Sequence, residues 1–93
     1  MNRWVLSAAV LSCFTLAVHV FGGGRDVHEP LLAAGLPADL RFYVSFTWHA
    51  VTAVLLADTI ALLVAAFVPE VRRTLIVVVI GQYLAYAALF VVY

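Results

Sequence analysis

Residues 42–68 read FYVSFTWHAVTAVLLADTIALLVAAFV, an apolar run in which Asp58 is the only charged side chain and which Pro69 ends. About 20 such residues suffice to cross a hydrocarbon core roughly 30 Å thick. This run exceeds that length, so a membrane helix here must tilt or protrude. Pro37 and Asp39 precede it with a helix-start signature, and the spacing predicts a helix over residues 37–68.

Two further runs have the same character. Trp4 to Phe21 is broken only by Ser7, Ser12, Thr15 and His19, and residues 74–93 are apolar or aromatic almost throughout. The first could be a signal peptide, because Arg3 precedes it and Val10-Leu11-Ser12-Cys13 loosely resembles a lipoprotein cleavage site. The run continues well past Cys13, however, and has no Ala-x-Ala exit, so a retained helix over 4–21 is expected. The fold class that follows is all-α, a single membrane domain of three transmembrane helices.

Composition agrees with this reading. Hydrophobic residues make up 67% of the 93-residue chain and charged residues 11%, and the mean hydropathy is +1.14. Soluble domains carry about 25% charged residues. The formal net charge is zero and no basic run occurs, which excludes electrostatic capture of nucleic acid. The single Cys13 permits no intramolecular disulfide.

Gly22-Gly23-Gly24 is expected to stop the first helix. A connector over 22–36 then follows, in which Pro30 opens a short amphipathic helix through Leu31, Leu32, Ala33 and Ala34 that Gly35 closes. Residues 69–73, Pro-Glu-Val-Arg-Arg, are expected to form the second, tighter loop. Arg3, Arg72 and Arg73 lie toward one side of the membrane, while Arg25 and Arg41 on the other are diluted by three acids. The positive-inside rule then places the N-terminus in the cytoplasm and the C-terminus in the periplasm of a bacterial inner membrane. Trp48, Phe42, Tyr43 and Tyr93 would gather at the outer interface.

Asp58 is the costliest residue to insert, since a carboxylate at mid-helix costs at least about 2.5 kcal/mol. Counting outward from the loop near Glu70 sets it level with Gln82 and Tyr83, so interhelical polar contacts among the three are expected; the functional alternative is a proton relay or ion site. His49, Ser45, Thr52 and Thr59 share one stripe of the second helix, with Asp58 pointing nearly opposite. Ser12, Thr15 and His19 form a stripe on the first helix, and Gln82, Tyr86 and Tyr93 one on the third. Polar stripes of this kind are expected to face the bundle interior.

His19 and His49 each follow a small residue by four positions, Thr15 and Ser45, and imidazole is a common ligand of tetrapyrrole metals. Counted from the expected helix ends, His19 lies about five residues shallower than His49, roughly 7 Å, too far for one shared iron. A tetrapyrrole, quinone or lipid would instead rest on His49 and Trp48, with His19 nearby. His19, His28 and Glu29 match no known metal-ligand spacing, so no metal is expected. Neither a nucleophile–base pair nor a strand-preceded phosphate loop occurs, and no catalytic role is assigned.

The run His19-Val20-Phe21-Gly22-Gly23-Gly24-Arg25-Asp26, followed by Pro30-Leu31-Leu32 and Trp48-His49, resembles small uncharacterised bacterial multi-pass membrane proteins over the first two helices and their connector. Proteins of that type often carry a fourth helix where this sequence has three, and the resemblance implies no activity. The expected function is that of a non-catalytic accessory or structural subunit of a larger bacterial membrane complex, photosynthetic or respiratory, with other membrane subunits and lipids as partners. The alternatives are a tetrapyrrole-, quinone- or lipid-binding module using His49, and an oligomeric transporter or channel using Asp58.

Overall fold

The computed structural model describes residues 1–93, and its architecture is all-α with three helices long and apolar enough to cross a membrane. The first is continuous over Arg3–Leu32: α1 (Arg3–Ala17), a π-helical segment (Val18–His28) and α2 (Glu29–Leu32). After a short connection come α3 (Ala38–Phe67) and α4 (Pro69–Val92).

Three boundaries differ from those expected, each for a physical reason. The glycine run does not stop the first helix. Gly22, Gly23 and Gly24 lie inside the π-helical segment, none of them at positive φ. In water each glycine would weaken a helix by about 1 kcal/mol. In hydrocarbon the alternative is unsatisfied backbone amides, each costing several kcal/mol, so the winding continues. The expected connector over 22–36 therefore shrinks to the residues between Leu32 and Ala38, where Gly35 at φ 75° supplies the left-handed turn.

Pro30 marks the change of winding. The Glu29 amide still donates to the Gly24 carbonyl five residues back. Pro30 has no N–H to extend that ladder, and the Ala33 amide donates to Glu29, four residues back, at 3.1 Å. The loop expected over 69–73 is likewise absent as a loop. Val68, forced out of the helical region by the following proline, is the single extended residue at φ −115°, ψ 97°. Pro69 and Glu70 already form the first turn of α4.

The chain divides into two compact units. One comprises Met1–Val10 with Asp58–Tyr93. Its core joins Val5 and Ala9 of α1, Leu62, Ala65 and Ala66 of α3, and Val79 of α4. The alanines let backbones approach closely, which is how membrane helices gain packing without a hydrophobic drive. The carbonyls at the end of α3 are capped: Arg72 donates from Nε to Ala65 O at 2.7 Å and from Nη2 to Ala66 O at 3.1 Å, while the Asn2 amide donates to Ala66 O at 2.8 Å. Asn2 also caps α1, its Oδ1 accepting from the Val5 amide at 3.1 Å.

The other unit is Leu11–Ala57. It holds the end of α1, the π-helical segment, α2, the connection and the first two-thirds of α3, with Ser12 and Leu55 buried. Apolar side chains in both units face outward, among them Trp4, Phe14, Phe21, Phe46 and Phe90, as a lipid-facing surface requires.

The Arg72 cap yields a stability prediction. Arg72→Ala leaves two carbonyls of α3 without their charged donor, and the guanidinium is half-buried, so unfolding in a lipid-like medium should become easier by about 1–2 kcal/mol. Arg73→Ala, as its neighbour, is the control; an equal effect from both would show that the cap contributes nothing.

Candidate functional site

The residues with chemical potential gather in two clusters, one in each unit. The larger, in Leu11–Ala57, is built around Trp48 of α3. The His19 imidazole stacks on the indole with ring centroids 4.1 Å apart at an interplanar angle of 18°. His28 stacks on it at 5.2 Å and 1°, and meets His49 edge-on at 5.5 Å. His19 and His28 are half-buried; His49 is exposed.

The π winding is what allows both imidazoles to reach one indole. Hydrogen bonding to the fifth residue back gives roughly 4.4 residues per turn, so nine residues make about two full turns and bring His19 and His28 to the same face. At 3.6 residues per turn nine residues make two and a half turns, and the two would point to opposite sides. Gly23 lies between them on that face. A Cβ there would stand 2.7 Å from Trp48 Cη2 and 3.2 Å from Cζ2, whereas at Gly22 and Gly24 it would meet nothing within 4 Å. The middle glycine is the notch that admits the indole.

Hydrogen bonds fix the imidazoles further. His19 Nε2 lies 2.8 Å from Thr52 Oγ1 and 3.4 Å from the Trp48 carbonyl, and Thr52 Oγ1 itself donates to that carbonyl at 3.1 Å. Since the carbonyl accepts only, and the threonine proton is already committed to it, the network assigns the proton to His19 Nε2. His28 Nε2 pairs with Ser45 Oγ at 3.3 Å.

This geometry corrects the depth expected for His19. It sits at the level of Trp48 and Thr52, no shallower than His49, because the helix that carries it does not end at Phe21. His28, expected in the connector over 22–36, is brought into the cluster by the same continuity. Glu29 is exposed, and no group of three or more His, Cys, Asp or Glu side chains is placed to hold a metal ion. The hydroxyl of Ser45, one turn before His49, is bonded to His28.

Beside this cluster an open hollow of about 450 Å³ runs along α3 past Phe42, Ser45, Phe46 and His49. A second, of about 330 Å³, adjoins it through Phe42 and Ser45 and reaches Arg41 and Leu32.

The smaller cluster lies in the other unit. Asp58 is 3% exposed and its carboxyl group accepts a hydrogen bond from the Gln82 side chain, while Oδ2 is buried with no partner. Tyr83 packs against the core of this unit and meets Tyr86 edge-on at 6.3 Å. Thr59, beside Asp58, is buried as well, so α3 is covered on more than one side here. The expectation that each polar stripe faces inward fails in part on every helix: Thr15 of α1, His49 of α3, and Tyr86 and Tyr93 of α4 are exposed.

Two mutational outcomes follow. Gly23→Ala should displace Trp48 and cost about 1–3 kcal/mol by overpacking, with a changed near-ultraviolet circular dichroism of the indole; Gly22→Ala and Gly24→Ala should be neutral or stabilising by up to about 1 kcal/mol. Identical behaviour of the three would mean that the indole does not seat on Gly23. At Asp58, replacement by Asn keeps an acceptor for Gln82 and should be mild, whereas Leu should lose an interhelical bond averaging about 0.6 kcal/mol. If Asn abolishes function while leaving the fold intact, Asp58 carries a proton or an ion.

No protein-family model, curated protein or solved structure matches this chain, and the meaning of both clusters rests on their geometry.

Proposed function

We propose that this protein is a non-catalytic accessory subunit that acts by lateral association, within the bilayer, with a larger membrane assembly, using α4 as its contact element. The observation that carries this reading is the bareness of α4. Only 6% of its apolar window is buried, against 33% for α3. Gly81, Ala85 and Ala88 are exposed along it at one-turn spacing, and a Cβ at Gly81 would meet nothing within 4 Å. Small residues so spaced let a second helix approach closely, and packing is the main source of affinity between helices in lipid.

The polar groups support the same reading. The half-buried imidazoles and Asp58 are engaged within the chain, leaving outward surfaces that are mainly apolar. Arg3, Arg72 and Arg73 belong to the unit that contains the Val68 turn, which favours a cytoplasmic location for that end. The alternative reading, a module for a tetrapyrrole or quinone, is favoured by one feature: His49 is the most exposed imidazole and takes none of the hydrogen bonds that hold His19 and His28. A visible absorption band in the purified protein would support its tetrapyrrole form, and a colourless preparation would remove that form.

The association reading is tested by extracting native membranes in mild detergent. The chain should migrate with a fixed partner, and Gly81→Leu should release it while leaving helix content and thermal stability unchanged, since that side chain would project into open space. Migration of the unaltered chain as a lone monomer would overturn the proposal.

A further inference from the structure

The two adjoining hollows along α3 have a feature that association through α4 does not use: a cation at one end and aromatic walls below it. Arg41 stands in the first turns of α3 and lines the upper hollow. Arg25 is paired with Asp26 at 2.9 Å, whereas Arg41 is among the residues that line the hollow. The carboxyl group of Asp39, in the same turn, accepts from the Leu40 amide at 2.9 Å and does not line either hollow. Phe42 and Phe46, stacked at 6.3 Å and both well exposed, wall the groove on its way to His49.

The dimensions match a membrane lipid. α3 has 30 residues, about 45 Å at the helical rise and longer than the roughly 30 Å hydrocarbon core. Its first turns, with Asp39 and Arg41, therefore belong at headgroup level, where arginine prefers to sit. From Arg41 to His49 is eight residues, about 12 Å along the helix, and one leaflet is about 15 Å deep. A phosphate at Arg41 would leave an acyl chain lying over Phe42 and Phe46 for most of one leaflet. The lining of the lower hollow is almost wholly apolar, which suits a chain and not a second headgroup.

We infer that the groove from Arg41 past Phe42 and Phe46 to His49 is a binding site for one anionic phospholipid, its phosphate paired with Arg41 and one acyl chain laid along α3. The site is independent of the α4 contact surface, so either assignment can fail without the other. Charge at the mouth sets the preference for an anionic headgroup, and the aromatic walls hold the chain whatever the headgroup.

The test uses the full chain in nanodiscs containing equal amounts of phosphatidylglycerol and phosphatidylcholine with identical acyl chains, followed by native mass spectrometry of the released protein with its retained lipid. Phosphatidylglycerol should dominate the single-lipid adduct. Arg41→Gln should cut that preference roughly fivefold, the electrostatic worth of one surface arginine at an anionic membrane, and Arg41→Lys should keep most of it. Phe46→Ala should lower both adducts together, and Arg73→Gln, at a cation that lines neither hollow, should leave the preference intact. Far-ultraviolet circular dichroism should show unchanged helix content in every variant. Equal adducts for the two lipids, an Arg73→Gln effect as large as that of Arg41→Gln, or a retained mass matching a quinone or tetrapyrrole would each overturn the assignment.

Discussion

Every backbone amide placed in hydrocarbon must find its acceptor within the protein, and the architecture follows from that requirement. Unsatisfied peptide groups cost several kcal/mol there, more than three glycines can subtract from a helix. The first helix accordingly runs through Gly22-Gly23-Gly24 to Leu32. The same requirement shortens the turn between α3 and α4 to one extended residue, Val68, and explains why the last carbonyls of α3 are taken up by Arg72 and the Asn2 amide.

Continuity alone would not build the Trp48 cluster; the change of pitch does. A π-helical segment spaces its side chains differently from an α-helix, and π windings occur frequently at functional sites. Here it aligns His19, Gly23 and His28, and each meets Trp48. Pro30, lacking the donor for another bond to the fifth residue back, returns the chain to α geometry just beyond His28. Two side chains nine positions apart and a notch midway between them are thus selected together.

Fold class was open to sequence reading because it depends on run length and charge alone: three apolar stretches and few charges leave no other class. Helix ends were harder. The expected ends at residues 22–24 and 69–73 rest on rules that hold in water, where glycine runs end helices and a proline closes one before a loop begins. In lipid the first rule is outweighed by amide satisfaction, and Pro69 opens α4 directly. Asp58, Gln82 and Trp48 could be singled out from depth and residue type. His28 could not be joined to the indole, because that link depends on winding, which no propensity in the sequence reports. The one signal was spacing: glycine four positions after His19 and histidine nine after it fit one face only at a wider pitch.

Lipid also decides how such a small protein can discriminate among partners. An apolar surface gives no preference against acyl chains, which are as apolar as leucine, so exposed area on α4 cannot by itself select a protein neighbour. Selection has to come from shape, where Gly81 and Ala85 let one helix come nearer than lipid does, or from charge at headgroup depth, where Arg41 distinguishes anionic from zwitterionic lipids. His19, His28 and Asp58 contribute to neither while they remain engaged inside the chain. Their bonds hold the helices that present these two surfaces, so a change at Gly23 or Asp58 would reach a partner only by moving the helix that meets it.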